Sequence, residues 1–85
     1  MVRIFFSLVL FKQSFEDINT LFENIITFER LSHGFNFETK FLIFDNSPTA
    51  LKFKYHNFDF IKYVFNNKNI GFGKGHNYNL HSIDF

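Results

Sequence analysis

Three short polar clusters interrupt an otherwise apolar chain: Lys12-Gln13-Ser14, Asp45-Asn46-Ser47-Pro48, and Asn69-Ile70-Gly71-Phe72-Gly73-Lys74-Gly75. Their residue types suit recognition of a nucleotide. Glycines at alternate positions, Gly71, Gly73 and Gly75, let backbone approach a ligand closely and permit φ > 0. Each cluster also has a plainer reading. Asp45 to Pro48 reads as a turn, Ser14 as a helix cap, and Lys74 as a solvated side chain. The glycines fit neither a phosphate-binding G-x-x-x-x-G-K-[ST] loop nor a dinucleotide fingerprint after a first strand.

The elements around the clusters decide whether they converge. Residues 3–11 are a near-continuous apolar run, the pattern of a strand buried on both faces of a parallel sheet. Ser14 and Asp17 form a capping pair for an amphipathic helix over about 14–31. Its stripe is Phe15, Ile18, Leu21, Phe22, Ile25 and Phe28, and Gly34 is its expected stop. A second strand is predicted at about 40–44 and a third at 61–65. Between them, Leu51, Phe53 and Tyr55 alternate with Lys52, Lys54 and His56, as a short strand or a loop would. A loop at 66–71 leads to a helix over about 72–83. Strands alternating with helices predict a right-handed, parallel α/β sheet with all three clusters beyond the carboxyl ends of its strands. Open α/β sheets bind ligands at that edge. The last helix has no strand after it, so the expected fold is a three-layer Rossmann-like sheet, an incomplete N-terminal half.

Composition narrows the classes. The chain has 85 residues, enough for one small domain. Phe accounts for 16 of them, and with Asn, Ile and Lys this is the signature of AT-rich codons, so a Phe is read as core before it is read as a stacking platform. A net charge of +1 gives no argument for nucleic acid or an anionic membrane. Without cysteine there are no disulfides, thiolate metal sites or thiol nucleophiles. No apolar run approaches the roughly 20 residues of a membrane helix, and no small-residue cleavage site follows Arg3. His76 and His81 are five apart, not the spacing of two ligands on one helix face, and no carboxylate stands out as a third ligand for the four histidines.

The segments Phe6 to Ser14, Phe41 to Pro48 and Asn69 to Leu80, taken in order, resemble the N-terminal half of family 2 glycosyltransferases, including rhamnosyltransferase-like members. Those enzymes open with a strand similar to S-I-V-L-Y-x-Q, continue with a long helix and a strand ending D-N-S, and reach an N-x-G segment that begins a helix. The resemblance spans essentially the whole chain. It implies the nucleotide-binding part of a GT-A fold and a UDP- or dTDP-linked sugar donor. Asp45 would accept from N3–H of a uracil or thymine base. The backbone at Leu10 to Lys12, around Phe11, would flank the base or ribose. Asn69 and Gly71 would shape the pocket, Lys74 would meet the diphosphate, and Asn77 matches the family's helix asparagine. The expected location is cytoplasmic, at the inner face of the membrane for a cell-envelope glycan.

The family's acidic D-x-D-like motif, which holds Mg²⁺ or Mn²⁺ on the next strand, has no counterpart here, and Asp84 is not in such a motif. No catalytic residue and no cofactor are therefore assigned to these residues. A truncated sheet half would expose apolar surface and self-associate. Two rival readings stay open: a non-catalytic remnant or small interaction domain that binds no nucleotide, and a Rossmann-like module for a different nucleotide.

Overall fold

A computed structural model describes residues 2–51 and 58–83. In chain order the elements are β1 (Val2–Leu10), α1 (Phe15–Ser32), a 3-10 turn (His33–Phe35), β2 (Phe37–Asp45), β3 (Ile61–Phe65) and α2 (Phe72–His81). The three strands form one parallel sheet in the order β1-β2-β3. The alternating stretch at 52–57 lies outside the described residues; its neighbour Leu51 lies against the core.

Side-chain alternation along the strands separates two faces. Phe6, Leu8, Leu10, Phe41, Ile43, Ile61 and Tyr63 face α1, whose Ile18, Phe22 and Ile25 complete the buried cluster. Val9 and Phe44 point the other way and meet α2 at Gly75. The molecule therefore has three layers, helix, sheet and helix. None of its helices is long and apolar enough to cross a membrane, among the described residues.

The Ser14 hydroxyl accepts from the Asp17 N–H at 3.1 Å, so α1 starts where the capping pair puts it. Phe15, at the first position of the helix, is 82% exposed and does not join the buried stripe. Gly34 is not the stop. The chain tightens into the 3-10 turn, and Asn36 takes the left-handed conformation at φ 58°, ψ 38°. Asparagine adopts that conformation more readily than most residues. β2 begins at Phe37, three residues earlier than its apolar pattern, because Phe37, Glu38 and Thr39 pair with Val2, Arg3 and Ile4. β1 is not buried on both faces. Of its residues only Leu10 is fully buried, while β2, the central strand, is buried continuously from Phe41 to Asp45.

Candidate functional site

The register places Leu10, Asp45 and Phe65 side by side at the carboxyl edge of the sheet. The three polar clusters start two, zero and four residues past that line, so they meet at one sheet edge. The ladder continues past the strands: the Asn46 N–H donates to the Leu10 carbonyl at 2.8 Å, and the Asn66 N–H to the Asp45 carbonyl at 2.9 Å.

Asp45, Asn46 and Ser47 are all buried, at 0%, 2% and 9% exposure. Burial of three consecutive polar side chains is stable only if each is bonded. Asp45 Oδ1 accepts from the Ser47 N–H at 2.9 Å, and Oδ2 accepts from the Tyr63 hydroxyl at 2.5 Å. The Leu51 N–H donates to the same hydroxyl. Burial, and then the bond to Asp45, pushes the Tyr63 phenol above its ordinary range, so it stays a proton donor. Ser47 Oγ accepts from the Lys12 N–H at 2.8 Å, which fixes Lys12 at its positive φ of 53°. Asn46 reaches the third cluster, donating from Nδ2 to the Gly71 carbonyl and accepting at Oδ1 from the Ile70 N–H. Asp45 thus ties its turn to β3, Asn46 holds the third cluster and Ser47 holds the first.

A cavity of about 220 Å³ lies among the first two clusters, lined by Leu10, Lys12, Gln13, Ile18, Asp45, Ser47, Pro48, Thr49 and Leu51. Sites for drug-sized ligands start near 300 Å³. This one suits a single ring with a polar edge. It brings together Asp45 and the backbone after β1. Phe11 sits on the bend beside it with the Lys12 ammonium 5.2 Å from its ring centre, but does not line it. Asn69 and Gly71 lie on the far side of Asn46. The Asn69 side chain accepts from the Gly71 N–H at 2.9 Å and so shapes the turn at φ 87° that starts α2. Lys74 is exposed on the first turn of α2, away from the cavity lining.

Asn77 is exposed and does not brace its helix. That role belongs to Asn79, which is 2% exposed and donates from Nδ2 toward the Leu8 and Leu42 carbonyls and the Ser7 hydroxyl at 3.0 to 3.1 Å. Ser7 also meets His76 Nδ1 at 2.6 Å. The detectable signal was the pair Gly75 and Asn79, four apart and so on one helix face. Tyr63 carried no local signal, because its partner lies on the neighbouring strand.

A larger cavity, about 470 Å³, is at the opposite end of the sheet near Glu29, His33, Phe37, Thr39 and Phe60. Ligands of parallel sheets bind at the other end. His33 is paired there with Glu29, and His81 bonds the Asn77 carbonyl; His56 lies outside the described residues. Among the described residues no three His, Asp or Glu side chains are grouped to hold a metal ion. No protein-family model, curated protein or solved structure matches the chain.

Proposed function

We propose that this chain is the nucleotide-binding part of a family 2 glycosyltransferase of GT-A fold, which takes the base of a UDP- or dTDP-sugar at the carboxyl edge of its sheet. The intact enzyme would pass the sugar to a glycan acceptor in the cytoplasm. One observation carries the reading: three separate motif segments meet at one sheet edge, with the Asp45 carboxylate beside a ring-sized cavity. Two of the roughly four acceptor positions on that carboxylate are taken by Ser47 and Tyr63. A base N3–H would use a third, reached when the loop carrying Ser47 to Leu51 opens. Among the described residues no three His, Asp or Glu side chains are grouped to hold a divalent cation, and no step is routed through one. Their part is to bind and orient the nucleotide.

Calorimetry with UDP, dTDP, ATP and NAD tests the proposal. UDP or dTDP should bind more tightly than the other two, and Asp45→Asn should weaken that binding by about tenfold or more, the loss of one charge-assisted hydrogen bond. Equal UDP affinity in wild type and Asp45→Asn would remove Asp45 from the site. A second reading, an interaction domain without nucleotide binding, is favoured by the complete burial of Asp45, which a turn anchor would also show. It predicts no heat with any of the four ligands.

A further inference from the structure

The cavity at the amino end of the sheet has no part in the nucleotide reading. β2 is nine residues long and pairs with β1 throughout, but β3 pairs only with Phe41 to Asp45. Where that pairing starts, the Phe41 N–H donates to the Phe60 carbonyl. Residues 37–40 of β2, the turn at 58–60 and the end of α1 together wall a cavity of about 470 Å³. That volume lies within the range of small-molecule sites. Parallel sheets take their substrates at the carboxyl edge, so a ligand here is a second one.

Thr39 lines the cavity, is 5% exposed, and has no hydrogen-bond partner for its Oγ1. No other buried side-chain polar atom is left unbonded among the described residues. An unbonded buried hydroxyl is costly and marks a place where a polar group belongs. Alternation along β2 puts Thr39 on the face of Phe41, toward α1. Glu29 of α1 lines the same cavity, with its side chain 21% exposed. Its Oε1 meets His33, and its Oε2 has no partner among the described residues.

Charge selects the ligand. Glu29, Glu38 and Asp59 line the cavity with one lysine, Lys40, and Arg3 pairs with Glu38. Three negative charges against two positive leave one negative charge in excess. The helix dipole adds to it, since α1 ends here with His33 as its C-cap. Carboxylates only accept hydrogen bonds and a hydroxyl can accept one, so the ligand is a donor. Phe37, Phe58 and Phe60 form the aromatic part of the lining, and aromatic faces attract cations. Among the described residues no three His, Asp or Glu side chains are grouped for a metal ion, which favours an organic cation.

We propose that this cavity binds a monovalent organic ammonium, a protonated primary amine on a short apolar chain. Its N–H groups donate to Glu29 Oε2 and Thr39 Oγ1, and its chain lies among the phenylalanine rings. The site is independent of the nucleotide reading.

Calorimetry of the whole chain with pentylammonium chloride tests this, with 1-pentanol as the neutral chain of equal length. The ammonium should bind in the millimolar range or tighter, and about tenfold or more tighter than the alcohol. Glu29→Gln should weaken ammonium binding by about tenfold, the loss of one charge-assisted hydrogen bond. Thr39→Val should weaken it several-fold while leaving the free chain at least as stable in thermal unfolding, because the unbonded hydroxyl is gone. Circular dichroism checks that both variants fold. No heat with the ammonium, equal affinity for the alcohol, or wild-type ammonium affinity in either folded variant would overturn the proposal.

Discussion

The two faces of the sheet are held by different physics. On one, α1 buries Ile18, Phe22 and Ile25 against Leu10, Phe41, Ile43 and Ile61. Phe6 adds a stacked contact with Phe41 at 4.7 Å and an edge-on contact with Phe28 at 5.2 Å. On the other, α2 buries only Gly75 and Asn79, while Tyr78 and Leu80 remain 44% and 61% exposed. The first face is stabilised by apolar area, which is non-directional. The second is stabilised by close approach at one glycine and directed bonds from one amide. Area can be rearranged among many side chains, whereas α2 buries two residues and adds contacts from His76 to Ser7 and from Tyr78 to the Phe44 ring.

The comparison can be broken in several places. Phe22 is fully buried at the centre of the α1 face, so Phe22→Ala should cost about 3–5 kcal/mol and leave the domain barely folded in urea titration. Asn79→Ala leaves the Leu8 and Leu42 carbonyls without their amide donor and should cost about 1–3 kcal/mol. If α2 were held by area instead, the loss would be near zero.

The glycines of α2 give a sharper contrast. A Cβ on Gly75 would lie 2.9 and 3.0 Å from the Val9 methyls and 3.1 Å from the Phe44 ring, whereas one on Gly73 meets nothing within 4 Å. Valine is stiff about χ1 and Phe44 is buried, so neither yields freely. Gly75→Ala should destabilise by about 1 kcal/mol, overpacking outweighing the gain in helix propensity. Gly73→Ala should stabilise by about 0.5–1 kcal/mol. Thermal unfolding of the pair should move in opposite directions.

The smallest effect is alkaline. Tyr63, on the α1 face, has its phenol pKa raised on folding by burial and by its bond to Asp45. The folded state therefore holds its proton more tightly than the unfolded chain. Its contribution is fully present below the unfolded pKa of about 10 and is lost as pH rises toward the folded value. Stability should fall above pH 10, and Tyr63→Phe should flatten that fall. A wild-type slope equal to that of the variant would remove Tyr63 as its source.

Local pattern made α1, β3, α2 and the shared sheet edge legible, because each depends on residues close in sequence. Ser14 and Asp17, and Asp45 to Pro48, show this best. What was not legible depended on distant partners. The first residues of β2 are strand because β1, thirty-five residues earlier, pairs with them. The apolar run of β1 reads as a central strand, yet among the described residues it lies at an edge, since abundant Phe and Ile appear on half-buried and buried strands alike. Asn77 and Asn79 are indistinguishable by type, and only the side of the helix that meets the sheet selects Asn79. Tyr63 reads as core, and its role appears only once β2 and β3 are in register.

The Asn79 bonds also set an order of events during folding. They join residues 72, 71 and 37 positions apart. Such closures carry a large loop entropy cost and gain nothing until β1 and β2 are already paired. The α1 layer can form on the growing sheet by itself, but α2 has no docking point before then. Docking of α2 is therefore the late step, and its release the first opening from the native state. Amides of α2 should exchange with solvent well before those of α1; equal protection would mean that both layers form and open as one unit.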